Sequence, residues 1–291
     1  MVNDIEKFDL VVYHGNCPDG FCAAFVAAQS PATEGAQVVP AIHGAPPPDV
    51  KGLNVLVVDF SWDRETVERM HKEAKSLLIL DHHKTAEEAL RGLPYAEFDM
   101  TRSGAQMCWD YFFGPHSRPW YVDYVADRDL WQWKLADSKA VSAFIMSVPH
   151  EFYAWVMQIA HSSVENAVRE GKAILRQVEH YVEKVANEAQ WVDDAFQHPW
   201  KIGKVAIVNA SYPNCSDVGH ELCKRGAEMS ILWYERKDGK VSFSLRSIGD
   251  VDVSKVAVFY GGGGHKNASG FELPLLEART VLDAILRRVR P

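Results

Sequence analysis

Clusters of histidine and aspartate side chains follow the predicted strands of this chain, and their types suit a metal site. Imidazole and carboxylate groups together bind divalent transition metals, and hard oxygen ligands favour Mn²⁺ or Mg²⁺. Two such ions bridged by one carboxylate are a known solution for the hydrolysis of phosphoesters. The candidate ligands are the segment from His14 to Asp19, then Asp59, the triplet Asp81-His82-His83, and Asp127.

Each candidate by itself also has a common structural explanation. A single aspartate after a strand, such as Asp59, is more often a cap than a ligand. His14 fits a buried histidine as well as a ligand, and Asp127 carries little weight because other aspartates crowd the same predicted helix. Independent accidents would not all fall at one sheet edge, so the set as a whole favours a metal site.

Short apolar runs alternate with helical patterns in the first half of the chain, and these elements must position the candidate ligands. We predict strands over Leu10–Tyr13, Gln37–Ile42, Asn54–Asp59 and Ser76–Leu80. Helices are predicted over Phe21–Gln29, over Asp63–Lys75 and from a capping box at Thr85 and Glu88. This alternation predicts a parallel sheet with helices on both faces, and ligands in such sheets bind beyond the carboxyl ends of the strands.

The rest of the chain separates into a helical middle and a second alternating region. Further helices are predicted over Ser103–Phe113, Trp120–Leu130, Val164–Gln190 and Leu275–Arg288. The pattern is helical from about Ser138 to Trp191, and Gly171 is the one glycine of its long helix. We therefore predict an α/β fold with a parallel-sheet domain over residues 1–137, a helical connector over 138–196 and a smaller mixed-sheet domain over 197–291.

A glycine-rich segment in the second alternating region is a candidate anion-binding loop. Four glycines precede His265, and glycine lets backbone N–H groups approach an anion closely. We predict that this run leads into the start of a helix. Arg246 ends a predicted strand upstream, where its guanidinium can hold a phosphate with two hydrogen bonds. The candidate substrate-binding residues are Arg246, Ser247, Gly262, Gly263, Gly264 and His265.

The composition excludes several classes of protein. With 39 acidic and 31 basic residues among 291, the net charge is −8, which argues against binding to long DNA because that requires a basic face. The longest apolar runs are far shorter than the ~18 residues of a membrane helix, and residues 1–8 lack the apolar segment of a signal peptide. Five cysteines without a C-x-x-C pair indicate reduced thiols and a cytoplasmic protein.

The full set of motifs resembles the DHH phosphoesterase superfamily. The branch that it resembles is the one with the DHH-associated C-terminal domain, which includes RecJ-type exonucleases and nanoRNases. The likeness extends from about residue 10 to residue 275 and combines the N-terminal ligands with Arg246-Ser247 and Gly262-Gly263-Gly264-His265-x-x-Ala268-x-Gly270. The resemblance implies a metal-dependent phosphoesterase with two α/β domains.

The resemblance also implies a role for each candidate. His14 would bind one metal, and Asp59 would bridge it to the second. The ligands of the second metal would be Asp19, His82 and Asp127. The catalytic residues would be Asp81 and His83, of which His83 faces the substrate, while Arg246 and His265 would hold a phosphate.

Cys17 departs from the family pattern. The first family motif supplies two carboxylates that flank one residue, whereas Cys17-Pro18-Asp19 places a thiol at the first position. If Cys17 is a metal ligand, its sulfur favours Zn²⁺ or Fe²⁺ over Mg²⁺. The alternatives are a weakly held first metal and a cysteine that binds no metal.

The expected activity is hydrolysis of short oligonucleotides or small nucleotide phosphodiesters. We expect Mn²⁺ as the metal, then Mg²⁺, with Zn²⁺ or Fe²⁺ as further alternatives. Two other functions stay open: a phosphomonoesterase that acts on nucleotide phosphates or polyphosphate, and a nucleotide-binding sensor without turnover. Trp62, Trp131 and Trp133 are candidates for stacking on a base, although core packing explains a tryptophan more often. The long central helix is a candidate homodimer interface.

Overall fold

A computed structural model of the protein describes residues 7–15, 17–193, 200, 202–211 and 214–287. The chain divides into two compact units, Met1–Leu175 and Arg176–Pro291. The boundary between them falls within the segment that the sequence predicts as a helical connector. The limits of the three predicted segments stay a prediction. Residues 194–196 of the connector and Arg288 of the last predicted helix lie outside the described residues.

The first unit contains a parallel sheet, as the alternating pattern predicts. Its strands are β1 Leu10–His14, β2 Gln37–Ala41, β3 Asn54–Val58, β4 Ser76–Asp81 and β5 Ala96–Phe98. Their order is β2-β1-β3-β4-β5, and every neighbouring pair is parallel. Because β1, β3 and β4 are neighbours, the residues that follow them meet at one edge of the sheet.

Strand β3 is buried along its whole length because both faces of the sheet are covered. Val55 and Val57 pack in one hydrophobic cluster, while Leu56 and Val58 pack in a different one. Successive side chains of a strand point to opposite faces. An apolar run without polar alternation therefore indicates a strand of this kind, and this feature of the sequence correctly predicted the sheet.

Helices lie between the strands of the first unit and follow its last strand, and the final helix continues into the second unit. They are α1 Pro18–Ala27, α2 Arg64–Glu73, α3 Lys84–Leu90, α4 Gly104–Phe113, α5 Trp120–Asp129, α6 Ser138–Ser147, α7 Phe152–Trp155 and α8 Val164–Asn187. Asp63 and Ser103 cap α2 and α4, because each side chain accepts a hydrogen bond from a main-chain N–H. The predicted capping box at Thr85 is wrong, since α3 begins at Lys84 with His83 as its N-cap residue.

The second unit contains a mixed sheet, as predicted for the C-terminal domain. Its strands are β6 Gln190–Val192, β7 Val205–Asn209, β8 Met229–Glu235, β9 Lys240–Ser247, β10 Gly263–His265 and β11 Ala268–Pro274. Their order is β10-β11-β9-β8-β7-β6; β7 and β8 are parallel and the other neighbours are antiparallel. Its helices are α9 Cys215–Lys224, α10 Val253–Phe259 and α11 Leu275–Leu286. Within the described ranges, no helix is long and apolar enough to span a membrane.

The glycine run does not lead into a helix, so that prediction is wrong. Gly263–His265 is the edge strand β10, which forms an antiparallel hairpin with β11. A Cβ atom at Gly262 would lie 2.1 Å from the carbonyl oxygen of Gly270. Glycine is required here for the close approach of two backbone segments.

Packing explains Gly171, the single glycine of α8. A Cβ atom at this position would lie 1.9 Å from the carbonyl oxygen of Ala140 in α6. Real Cβ atoms do not approach a carbonyl oxygen so closely, because core contacts are already at van der Waals distance. The main chain of α8 thus passes closer to α6 than any residue with a side chain permits.

Replacing Gly171 by alanine should lower the stability of the protein. Alanine favours a helix over glycine by about 1 kcal/mol, but overpacking against a backbone atom costs about 1–3 kcal/mol or more. The melting temperature, followed by circular dichroism, should therefore fall. Glu170→Ala, at the exposed neighbouring position, is the control and should keep or raise it. An unchanged or higher melting temperature in Gly171→Ala would contradict the close contact.

Candidate functional site

The predicted ligands of the first unit meet at the carboxyl edge of its parallel sheet. The ends of β1, β3 and β4 provide His14, Asp59, Asp81, His82 and His83. Two helices provide Asp19, in the first turn of α1, and Asp129, the last residue of α5. Helix α1 begins earlier than predicted, at Pro18, and this start places Asp19 beside the strand ends.

His82 is the centre of one group of potential ligands. Its Nε2 atom lies 3.4 Å from Asp129 Oδ2 and 3.7 Å from Asp19 Oδ2. The ligand atoms of these three residues lie within 4.8 Å of one another. A single ion with ligand distances of about 2 Å fits such a group.

A second group consists of His14, Cys17 and Asp59, whose ligand atoms also lie within 4.8 Å of one another. Asp59 Oδ2 is 3.3 Å from His14 Nδ1, whereas Asp59 Oδ1 is 3.0 Å from His82 Nε2. The two oxygens of one carboxylate therefore face two different groups of ligands. A carboxylate that bridges two metal ions requires this arrangement.

The donor atoms of both groups suit a cation. His14 Nδ1, Asp59 Oδ2 and Asp129 Oδ2 are buried, and they make no hydrogen bond within the described part of the chain. A buried polar atom without a hydrogen bond costs about 1–3 kcal/mol. Ligation of divalent ions would satisfy all three atoms, so the residues present fit the metal that the sequence predicts.

The carboxylates of the site carry more negative charge than their surroundings favour. Burial, and then repulsion from Asp59 and Asp129, raises the pKa of Asp19 well above its usual value. Burial likewise raises the pKa of Asp129. Burial also opposes ionisation of Asp59, but its contacts with His14 and His82 outweigh this effect and hold its pKa well below the usual value. A bound cation would neutralise this excess charge.

Asp59 reaches the site through an unusual turn. Its φ angle is 56°, a left-handed conformation that aspartate tolerates better than most residues. A Cβ atom at Gly104 would lie 2.5 Å from Asp59 Cβ and 2.9 Å from Asp19 Oδ2. The strained turn and the absent side chain at Gly104 together let the two carboxylates lie close to each other.

The N-terminus of α4 holds Asp19 in place. Asp19 Oδ2 accepts a hydrogen bond from Gly104 N at 2.6 Å, and Oδ1 accepts one from Ala105 N at 3.1 Å. The positive end of the helix dipole favours a carboxylate at this position. The orientation of Asp19 is thus fixed before any ion binds.

Asp81 positions His83. Asp81 Oδ1 lies 2.7 Å from His83 Nδ1 and also accepts a hydrogen bond from the main-chain N–H of His82, while Oδ2 accepts one from Ser61. Burial opposes ionisation of Asp81, but His83 outweighs it and lowers the pKa of Asp81 to about 2. Desolvation opposes charging of His83, but Asp81 raises the pKa of the ring to about 9. The contact to Nδ1 leaves Nε2 on the opposite side of the ring.

Cys17 is the N-cap residue of α1, and its sulfur belongs to the same group as His14. Burial, and then the negative charges of Asp59 and Asp129, raises the pKa of its thiol well above the usual value. A bound cation would oppose this shift, because cations stabilise the thiolate. Ligation by Cys17 stays a prediction.

The carboxylate of Asp127 faces the loop that follows α5, and its role as a ligand stays a prediction. Its carboxylate accepts hydrogen bonds from Lys134 N at 2.9 Å, from Leu135 N at 3.2 Å and from the hydroxyl of Ser138. These partners use its oxygens to anchor the loop after α5. Among the described residues, the groups of potential ligand atoms include Asp129 and not Asp127.

The sequence reasoning missed Asp129. It ends α5, and its carboxylate, unlike that of Asp127, turns toward His82. Both aspartates belong to the segment Asp127-Arg128-Asp129, in which the sequence analysis placed one candidate ligand. Their spacing did not show which one, because that depends on where the helix ends and on the path of the following loop.

The predicted phosphate-binding residues lie on neighbouring strands of the second sheet. Arg246 in β9 is paired with Ala268 in β11, which is paired with His265 in β10. The guanidinium of Arg246 donates hydrogen bonds to Ser216 Oγ and to Leu245 O, each at 2.8 Å. Strand pairing thus brings Arg246 and the end of the glycine run, which holds Gly262, Gly263 and Gly264, to one end of this sheet.

Ser247 is engaged within the fold. Its hydroxyl donates a hydrogen bond to Val251 O at 2.7 Å and accepts one from Asn267 Nδ2 at 2.8 Å. These contacts fix the loop between β9 and α10. Its predicted contact with substrate stays a prediction.

Comparison with known proteins identifies relatives of both units. Residues 216–290 match the model of the DHHA1 domain. The chain is 28% identical over 286 residues to an uncharacterized protein of Acanthamoeba polyphaga mimivirus. It is 27% identical over 241 residues to oligoribonuclease NrnB of Bacillus subtilis (strain 168). These alignments include 91% and 74% of this chain, and they span 67% and 58% of the respective relatives.

Solved structures share the fold at low sequence identity. An exopolyphosphatase-related protein from Bacteroides fragilis matches with a TM-score of 0.55 and 14% identity, over 97% of this chain and 92% of that one. The pGpG-specific phosphodiesterase PggH of Vibrio cholerae matches with a TM-score of 0.52 and 15% identity, over 97% and 98% of the two chains. RecJ of Thermus thermophilus in complex with Mn²⁺ matches with a TM-score of 0.51 and 15% identity, over 95% and 51%.

Asp129→Asn should weaken the binding of Mn²⁺ by about tenfold or more, because it removes a charged donor from the His82 group. Isothermal titration calorimetry on the metal-stripped protein measures this loss. Asp127→Asn is the matched control, with the same change of charge on the same helix. It should keep the affinity for Mn²⁺ but lower the melting temperature, since an amide cannot accept all three hydrogen bonds. The opposite pattern would restore Asp127 as the ligand.

Proposed function

Because the chain belongs to the DHH phosphoesterase superfamily, we propose that it is a metal-dependent phosphodiesterase that hydrolyses short oligonucleotides or small nucleotide phosphodiesters. Two of its relatives support this substrate class, one named an oligoribonuclease and one a pGpG-specific phosphodiesterase. The net charge of −8 also favours a short substrate over a long nucleic acid.

The observation that carries the proposal is the position of Asp59. Its two carboxylate oxygens face His14 and His82, which belong to different groups of potential ligands. Two divalent ions that share one carboxylate form the arrangement known for in-line displacement at phosphorus. A site built for one ion would not need buried donors on both sides of this carboxylate.

Two sets of residues would hold the ions. The first set is His14, Cys17 and Asp59, and the second is Asp19, His82 and Asp129, with Asp59 shared between them. When bound, the ions supply Lewis-acid stabilisation of the phosphate and a nucleophile at neutral pH. The hydrogen bonds from α4 to Asp19 keep one ligand rigid, which limits the rearrangement needed for binding.

His83 is placed to donate a proton or a hydrogen bond. Asp81 holds the ring through Nδ1 at 2.7 Å and raises its pKa. In this proposal Nε2, on the opposite side of the ring, would donate to a phosphate oxygen or to the leaving oxygen. Asp81 acts through His83 and is therefore a positioning residue in this proposal.

We propose Mn²⁺ as the ion and Mg²⁺ as the next candidate. The carboxylate oxygens of the site suit Mn²⁺, and the RecJ structure of similar fold was solved with Mn²⁺. The sulfur of Cys17 in the first set keeps Zn²⁺ and Fe²⁺ as alternatives. The five free cysteines favour a cytoplasmic location, because reduced thiols persist in that compartment.

A phosphomonoesterase is the second candidate function. The likeness in fold to an exopolyphosphatase-related protein favours it, since the same pair of ions would also activate attack on a terminal phosphate. Analysis of products separates the two functions. Cleavage of a diester yields mononucleotides, whereas a monoesterase releases inorganic phosphate.

The metal-stripped protein, reloaded with Mn²⁺, should convert a 5′-labelled RNA dinucleotide into mononucleotides. Asp59→Asn should slow this reaction by about 100-fold or more, because even changes outside the metal ligands cost about 10–100-fold. Asp63→Asn is the control, since Asp63 caps α2 at the surface and asparagine caps a helix equally well. Its rate should equal that of the unmodified protein.

Other outcomes of this assay would reject the diesterase. Release of phosphate without mononucleotides would establish the monoesterase. Binding of the dinucleotide without any product, under Mn²⁺, Mg²⁺ or Zn²⁺, would establish a sensor. Full turnover by Asp59→Asn would contradict the bridging role of this carboxylate.

A further inference from the structure

Two tryptophans of the first unit differ from the other seven of the chain's nine. The seven that pack against a hydrophobic cluster are Trp62, Trp109, Trp120, Trp155, Trp191, Trp200 and Trp233. Trp131 and Trp133 belong to none of the clusters that the described residues form, and both are partly exposed. Core packing, the common explanation for a tryptophan, therefore does not account for these two.

Trp131 and Trp133 form a small aromatic site with Arg128. Their ring centroids are 5.0 Å apart, with the planes at 78°. The guanidinium carbon of Arg128 lies 5.7 Å from each centroid, and Lys139 Nζ lies 5.9 Å from that of Trp133. Partly exposed indole rings beside cations suit a flat aromatic ligand that carries negative charge, as a nucleotide does.

The loop that carries these rings is strained. Trp131 and Trp133 both have a φ angle of 54°, and Asp137 has one of 52°. A bulky side chain is unfavourable in this conformation, and such residues persist where the surrounding structure holds them, most often at functional sites. Asp127 provides that support, because its main-chain oxygen accepts hydrogen bonds from the N–H groups of Gln132 and Trp133.

The aromatic site lies next to the candidate metal ligands. Trp131 follows Asp129 by two residues, so their Cα atoms are at most about 7.6 Å apart. The carboxylate of Asp129 in turn lies 3.4 Å from His82 Nε2. One nucleotide is therefore long enough to place its base at this loop and its phosphate at the predicted metal centre.

We propose that Trp131 and Trp133, with Arg128 beside them, form a nucleobase-stacking site that selects base-bearing phosphodiesters over base-free phosphates. The inference rests on the proposed function and deepens it, because it names nucleotides rather than polyphosphate as the substrate class. Stacking tolerates different bases, since every base has a π-face. The site would therefore recognise the presence of a base more than its identity.

A binding experiment tests this inference without turnover. The Mn²⁺-loaded protein is titrated in a calorimeter with the phosphonate analogue of adenosine 5′-monophosphate, whose C–P bond resists hydrolysis, and with the corresponding ribose phosphonate. We expect the compound with the base to bind about 5- to 150-fold more tightly, the range that one stacked base contributes. The double variant Trp131→Ala, Trp133→Ala should lose this preference and keep its affinity for the ribose compound. Trp109→Phe, at a core-packed tryptophan, is the control and should retain the preference.

A second pair of variants separates a binding role from a structural one. Asparagine adopts the left-handed conformation more readily than tryptophan, so Trp131→Asn and Trp133→Asn should keep or raise the melting temperature while the preference for the base is lost. A large fall in melting temperature with an unchanged preference would show that the rings are structural and would overturn the inference.

The remaining outcomes distinguish the inference from the proposed function. Equal affinity for the two phosphonates in the unmodified protein would overturn the stacking site, whatever the dinucleotide assay shows. A preference that survives in the double alanine variant would also overturn it. A preference that depends on both tryptophans, in a protein that releases no mononucleotides, would support the stacking site. It would reject only the proposed diesterase activity.

Discussion

The rest of the first unit depends on the collection of aspartates and histidines at one edge of a parallel sheet. Burial of like charges is unfavourable, and each carboxylate is stabilised by a different part of the fold. Helix α4 directs its N-terminus at Asp19, a hydroxyl and main-chain amides hold Asp81, and two imidazoles flank Asp59. The order of the strands and the start of α4 bring these partners to the carboxylates. The side chains of the site are therefore already in position, and the site keeps an excess of negative charge.

Backbone strain is concentrated around the same site. The described residues include five non-glycine residues with positive φ. Asp59 is one, three belong to the loop that follows α5, and Ser117 is the exception. Strain of this kind reduces stability, and substitutions that relieve it tend to reduce function. The first unit thus combines a well-packed sheet with strained backbone at the edge that carries the candidate ligands. The main-chain oxygen of Asp127 connects the strained loop to the helix that ends at Asp129.

Much of this architecture follows from sequence patterns, and the exceptions have physical reasons. The apolar run of β3 predicted a sheet covered on both faces, because no polar residue interrupts it. The choice between Asp127 and Asp129 was not predictable, since both are acidic and the tertiary path of the next loop decides their partners. The prediction that the glycine run leads into a helix was wrong for a similar reason. Glycine serves a helix start and a close strand pairing equally well, and only the contact of Gly262 with Gly270 distinguishes the two.

The outer strands of both sheets have a consequence for self-association. Strands β5, β6 and β10 contain three residues each, and β2, at the remaining edge, contains Pro40, which has no N–H to donate. Short or proline-containing edges offer few main-chain groups to a strand from another molecule. Intermolecular strand addition, the route to aggregated sheets, is therefore disfavoured at all four edges. For the described sheets, we therefore expect copies of this chain to associate through side-chain contacts rather than through strand addition.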